Sequence, residues 1–299
     1  MEKSEKSGTL QILLSGTLWG SMGIFVHALS DDFGLTSMQI ACARFTLATL
    51  AFAVILFFKD KSAFKVRLRD VPLFFATGLV SVLAFSWCYF TAIQQMTMSM
   101  AAILLYTSPI WVMLLSAMLF KEKITAKKIV ALVLAFGGCI CVSGGGGGKM
   151  TLLGLLTGLG AGLGYGLYSI FSTFLLRRYS PLTVTTYAFA IGTIGAWILC
   201  DPADLIAKVT AAPPVSIGFW IVACSIVTEF FPYLMFTNGL RSVPASRAAI
   251  IATIEPVVAT IIGILRGEPM TFFVAIGVVA VISAILVLNI QSKQKEVAK

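Results

Sequence analysis

Apolar residues along this chain gather into ten long blocks separated by short polar gaps. They run Leu10–Leu29, Ser37–Phe58, Val71–Ile93, Ser99–Phe120, Ile129–Val142, Leu152–Leu176, Pro181–Cys200, Val215–Leu240, Ala248–Leu265 and Thr271–Ile290. A hydrocarbon core of about 30 Å takes about 20 apolar residues in a helix. The pattern therefore predicts ten transmembrane helices, with antiparallel neighbours because the gaps are short. The fifth block is brief and draws on Gly144–Gly148 to finish its crossing. The first block follows a charged head, as a signal peptide would. No small-x-small cleavage site precedes the next block, so it is read as a helix.

Composition sharpens this picture. Of the 299 residues 58% are hydrophobic and 12% charged, against about 25% charged in soluble domains. Mean hydropathy is +0.95. These values exclude a soluble domain, a disordered chain and a nucleic-acid-binding module. The net charge of +9 resides in the gaps. With the N-terminus inside, 18 of the 22 basic residues fall on cytoplasmic segments, among them the Lys59–Asp70 loop. Three fall outside, namely Lys149, Lys208 and Arg266, and Arg44 is left within a helix. That bias predicts a multi-pass cell-membrane protein with both termini cytoplasmic, its basic face attracted to anionic lipid. The six cysteines all lie inside apolar blocks and read as small packing residues. Cys139 and Cys141 are too close for a Cys-x-x-Cys ligand pair, so neither a disulfide framework nor a metal site is expected.

The two halves resemble one another. Ser99-Met-Ala-Ala-Ile and Ser246-Arg-Ala-Ala-Ile align at an offset of 147, which also pairs Pro109 with Pro256. Trp19-Gly20 pairs with Tyr165-Gly166 at 146, as does Glu122-Lys-Ile-Thr125 with Glu268-Pro-Met-Thr271. Five helices per half is an odd number, so the second half must be inverted. The expected fold class is an all-α integral membrane protein of ten helices in two inverted five-helix repeats. Residues 1–143 form the first repeat, 144–150 a glycine-rich outside linker and 151–299 the second. Inverted repeats with matched irregular helices mark alternating-access carriers, which bind near the midplane.

The run Leu18-Trp19-Gly20, the pair Arg44-Phe45, the segment ending Thr107-Ser108-Pro109, and Glu255-Pro256 with Gly267-Glu268-x-x-Thr271 resemble the EamA family of the drug/metabolite transporter superfamily. The resemblance covers nearly the whole chain. It implies a ten-helix fold of inverted repeats and a central cavity lined by helices 1, 3, 4, 6, 8 and 9. The fifth and tenth helices would lie at the periphery. It also implies a small-molecule cargo, mostly amino acids or other metabolites, often moved outward. One departure is Ser108 where the second repeat has Glu255, which argues against a symmetric two-carboxylate site.

Charges within spans are costly, about 2.5–3.5 kcal/mol at a helix centre, and usually face a partner or a wet cavity. Four ionisable residues stand there. Glu255 follows Ala248 and Ala252 and precedes Ala259 and Gly263 on one face, a small-residue seam suited to packing. Glu229 lies beside Pro232, which removes a backbone donor opposite Thr228, and Tyr233 falls at i+4 on its face. That setting favours Glu229 as a shared proton and substrate site, with Glu255 mainly structural. Arg44 must have acceptors, since its guanidinium stays charged. They would be a carboxylate or carbonyl of the first repeat, or a substrate carboxylate. His27 falls near the outer interface and reads as packed or solvated rather than as a proton relay.

Trp19, Tyr89, Tyr106, Tyr165 and Tyr233 are the candidate substrate-binding aromatics, since aromatic faces can hold an organic cation or an apolar side chain. Pro109, Pro232 and Pro256 are candidate kinks. Gly158 to Gly166, every second residue a glycine, suit close helix crossing and bending. Gly144–Gly148 fails as a P-loop, with Ser143 and Met150 at positions that need Gly and Ser/Thr. No cofactor, metal cluster or catalytic triad emerges, so an enzyme is disfavoured. The leading expectation is a secondary transporter exporting an amino acid or related metabolite. Its rivals are proton-coupled transport of an organic cation, and a lipid scramblase or membrane scaffold. The partners expected are a small-molecule substrate, protons as the simplest driver, and the bilayer. The oligomeric state stays open, and a monomer suffices.

Overall fold

The computed structural model describes residues 2–59, 61–143, 151–267 and 269–297. The glycine-rich linker at 144–150 lies outside them. The described residues form helices and their connections, with no strand among them. Eight helices are long and apolar enough to cross a membrane: α1 (Ser4–Asp32), α2 (Ser37–Lys59), α3 (Leu68–Gln95), α4 (Met100–Phe120), α6 (Leu152–Leu175), α7 (Pro181–Leu199), α8 (Pro214–Gly239) and α9 (Ala245–Leu265). Two further helices are α5 (Ala126–Val142) and α10 (Phe272–Val297), the latter apolar over Phe272–Leu288. Thr125 and Thr271 begin them, their hydroxyls accepting from the amides of Lys128 and Val274 at 3.3 Å. Such caps satisfy amides that a helix start leaves open.

The packing is reciprocal. α6 lies against α3 and α4, while α1 lies against α8 and α9. α2 packs on α7, and α5 packs along α10. Gly138 and Gly277 let that last pair approach, since a Cβ on Gly138 would stand 2.8 Å from the Gly277 carbonyl. The exposed large apolar side chains, such as Ile198, Val215, Leu265 and Phe272, spread over the outside of the bundle. That is the reverse of a water-soluble surface and suits contact with lipid.

Three spans contain wide π-helical turns, at Ala28–Asp32, Leu79–Ala84 and Ile226–Phe230. The second and third stand at offset 147, the spacing that aligns the sequence halves. α4 and α9 are each interrupted once, at Tyr106–Thr107 and at Thr253. Between α7 and α8 the chain forms a short amphipathic helix, Pro202–Ala211, capped by Asp201. The hydropathy pattern leaves this stretch in the gap between the blocks ending at Cys200 and beginning at Val215. Asp201 as cap and Pro202 in the first turn were the available signals.

Candidate functional site

The interrupted turns of α4 and α9 place polar backbone in the middle of the bundle. Pro109 and Pro256 cannot donate to the carbonyls of Leu105 and Ala252, four residues earlier. In each break a threonine hydroxyl donates to the carbonyl three residues back, Thr107 to Leu104 and Thr253 to Ile250, both at 2.6 Å. Glycines then bring a second backbone to each break. A Cβ on Gly162 would stand 2.6 Å from the Leu104 carbonyl, and one on Gly20 2.5 Å from the Glu255 carbonyl. Gly166 approaches Ser108 and Gly16 approaches Ala252 in the same way. Thus α6 docks on the α4 break and α1 on the α9 break through equivalent glycine pairs.

A narrow cavity lies between these contacts, lined by Trp19, Ser108, Tyr165, Tyr168, Tyr233 and Phe236 among others. Its free space is about 10 Å³, room for roughly one water molecule. Trp19 fills the centre, with ring centroids 5.9 Å from Tyr165, 5.1 Å from Tyr233 and 5.4 Å from Phe236. Its contacts with Tyr165 and Tyr233 are edge-to-face, a favoured aromatic geometry. Tyr168 bonds Thr237 through its hydroxyl at 2.7 Å and meets Tyr233 at 5.0 Å. Trp19, Tyr168, Tyr233 and Phe236 are buried, whereas Tyr165 keeps accessible surface. The buried rings form a floor. Beyond it the row continues through Phe85 to Tyr89, which is also half-buried.

Of the expected aromatics, Trp19, Tyr165 and Tyr233 come together in this cavity. Tyr89 stands one ring away from it, across Phe85. Tyr106 is not a lining residue: it is buried against Cys139, Val257, Val281 and Ile285, where it seats α4 on α9 and the α5–α10 pair. Tyr168, Ser108 and Ser169 were absent from the expected lining. Tyr168 could have been found, being one turn beyond Tyr165 on the same helix face.

The charges differ most from expectation. Glu229 was expected to share the Tyr233 face and line the cavity. It is 1% exposed and does not line it. Ile226–Phe230 is π-helical, so bonding to the fifth residue replaces bonding to the fourth, and the i, i+4 relation fails. Glu229 instead faces α2, its Oε1 2.9 Å from Nε of Arg44. The partner of Arg44 is thus a carboxylate of the second half, not of the first. The pair is incompletely satisfied, because the Arg44 Nε–H is not aligned as a hydrogen bond and Glu229 Oε2 has no bonding partner. One Arg44 terminal nitrogen donates to the Met22 sulfur at 3.1 Å.

Glu255 also departs from expectation. Instead of lying sealed in a small-residue seam, it is half-buried and accepts a bond from the Tyr165 hydroxyl at 3.3 Å. Tyr89 and Tyr106 stand in its electrostatic neighbourhood. No described cation lies within ion-pair distance of it. Ser108, its counterpart in the first half, lines the cavity, whereas Glu255 is joined to it through the Tyr165 hydroxyl. His27 is exposed and pairs with Asp31 at 3.2 Å, away from the cavity.

The model of the EamA-like transporter family matches this chain twice, at residues 6–144 and 152–290. An uncharacterized transporter of Archaeoglobus fulgidus is 28% identical over 261 residues, which is 87% of this chain and 90% of that protein. The uncharacterized transporter YetK of Bacillus subtilis is 25% identical over 262 residues, 85% of this chain and 78% of its own. A solved crystal structure superposes with a TM-score of 0.81 at 18% identity, over 97% of this chain and 99% of that one. The two share a fold.

Proposed function

We infer how the protein acts from one premise: the chain belongs to the EamA-like transporter family and is a multi-pass membrane transporter of a small molecule. Our reading is a secondary transporter of ten spans in two inverted five-helix repeats, residues 1–143 and 151–299, working by alternating access in the cell membrane with both termini cytoplasmic. The double family match and the paired irregularities of α3 with α8 and α4 with α9 support the repeat. The cargo is an amino acid or related metabolite, moved outward.

The observation that carries the site is Glu255, a half-buried carboxylate without a described cation partner, which accepts a bond from Tyr165 of the aromatic cavity. We assign it the ammonium group of the cargo, and the proton when cargo is absent. Tyr165, Tyr89 and Trp19 receive the apolar part. Arg44 and Glu229 hold α2 against α8 and do not touch cargo. A second reading, transport of an organic cation, is favoured by the engagement of Arg44 with Glu229, which leaves no guanidinium for a cargo carboxylate.

Proteoliposomes loaded with labelled amino acids or a quaternary amine test both readings. Saturable flux, lost in Glu255→Gln, is the expected result. Saturation by the amine alone selects the second reading, and absence of any flux overturns the transport site. Reporter fusions after residues 65 and 299 should both read cytoplasmic.

A further inference from the structure

A second cavity, of about 510 Å³, opens at the end of the bundle where the basic residues gather. α1 contributes Gln11, α2 Leu56 and Lys59, α7 its first turn with Pro181 and Leu182, α8 Leu234 and Asn238, and the turn after α8 Arg241. Its size suits a bound small molecule or one segment of a larger one.

This crevice is not an extension of the aromatic cavity. Leu234 and Asn238 follow one another at i and i+4, a stripe along α8, and Arg241 stands in the turn beyond its end. Tyr233 and Phe236 face the aromatic cavity. At about 100° per residue, the two stripes lie roughly 140° apart around the helix. The crevice therefore lies on another side of α8 from the aromatic cavity, among α1, α2, α7 and α8.

Its chemistry is graded. The inner wall carries Leu56, Leu182 and Leu234, beside the amides of Asn238 and Gln11, the first donating to the second at 2.7 Å. The mouth carries two exposed cations, Lys59 and Arg241. Neither has a described carboxylate within ion-pair distance, and Glu5, Asp70 and Glu122 are engaged by Arg247, Arg178 and Lys128. The N-terminus of the 19-residue helix α7 opens into the same mouth at Ser180 and Pro181, and a helix start favours negative charge. Two cations and a helix start above an apolar slot match an amphiphile with an anionic head.

We propose that this crevice binds an anionic phospholipid of the adjoining leaflet, its phosphate between Lys59 and Arg241 and one acyl chain along Leu56, Leu182 and Leu234. Basic pockets between transmembrane helices are suited to anionic headgroups. The inference rests on the bilayer setting and is independent of the cargo. Its walls come from both sequence halves, so a seated lipid would brace α2 against α7 and α8.

The test uses the full chain purified in a neutral detergent. Thermal stability and retained lipid, the latter by native mass spectrometry, are measured with phosphatidylglycerol, phosphatidylcholine and glycerol phosphate. The expected result is retention and a raised Tm with phosphatidylglycerol alone. The double variant Lys59→Gln with Arg241→Gln should weaken that retention on the order of tenfold while keeping the Tm measured in phosphatidylcholine. Leu234→Trp should weaken retention by filling the slot, with both cations intact. Lys65→Gln with Lys123→Gln, on the same face outside the crevice, should retain the lipid fully. Equal retention of both lipids overturns the proposal, as does an equal loss in the control pair. A response to glycerol phosphate matching that to the lipid would identify a free-phosphate site instead and reject the acyl slot.

Discussion

At the scale of single residues, the two membrane carboxylates have exchanged the environments their neighbours in sequence suggest. Glu229 is sealed against Arg44 across the two halves, and removing one member of a buried pair typically costs about 3–5 kcal/mol because the other charge is stranded. Glu229→Leu should therefore lower folded yield and Tm sharply. Arg44→Met combined with Glu229→Met should recover most of the loss, since an apolar pair strands no charge. A thermal-shift series on the three proteins checks this, and a double variant no more stable than Glu229→Leu would refute the pairing argument. Glu255→Gln removes the half-buried charge without stranding a partner. It should leave Tm nearly unchanged and abolish both saturable flux and its pH dependence. What the sequence made legible was that four ionisable residues in spans needed explaining. Their partners were illegible because Arg44 and Glu229 lie 185 positions apart, and because a π turn has no pattern of residues that separates it from an α turn.

At the scale of elements, hydropathy located the helices and proline located the breaks in α4 and α9. It did not locate the π turn of α3, where Leu79–Ala84 contains neither glycine nor proline. The meaning of the glycine rows also emerged only with the packing, since each docks on the break of a helix from the other half. Gly162→Ala would set a methyl group 2.6 Å from the Leu104 carbonyl, and Gly20→Ala one 2.5 Å from that of Glu255. Backbone cannot yield as a side chain can, so each substitution should cost about 1–3 kcal/mol by overpacking. A Cβ on Gly137 meets nothing within 4 Å, and Gly137→Ala should be neutral or stabilise by about 0.5–1 kcal/mol. Tm values for the three variants give the check. A Gly137→Ala loss equal to that of Gly162→Ala would mean that glycine serves flexibility here rather than close approach.

At the scale of the whole molecule, the two ends of the bundle are fastened differently. On one end Gln39 donates to Asp204 at 2.6 Å, and Lys208 pairs with Asp204 at 2.6 Å. The Lys208 bond, then the Gln39 bond, hold the Asp204 carboxyl below its ordinary 3.8. A depressed pKa contributes stability that is present above the unfolded value and lost as pH falls through the folded one. This clasp should be unchanged between pH 5 and 8, so Asp204→Asn should leave the shape of a transport pH profile intact. The basic end is closed by three links between the halves. Lys128 donates to Glu122 at 2.9 Å and to Ser246 at 2.8 Å, Arg247 pairs with Glu5, and Asp70 receives Arg178 and Tyr179 at 2.7 Å. These links fasten the two halves to each other at that end. Partly exposed links are each worth about 0.2–1 kcal/mol, so breaking two should favour an open state by about 1 kcal/mol, roughly a fivefold change in its population. Glu122→Ala with Asp70→Ala should accordingly speed labelling of a cysteine at Ala249, on the cavity wall, about fivefold. The reagent is an impermeant maleimide reaching the basic face of sealed vesicles, in a chain whose native cysteines are replaced. An unchanged rate would mean that the aromatic floor alone closes this end, and Trp19→Ala should then produce the acceleration that the broken links did not.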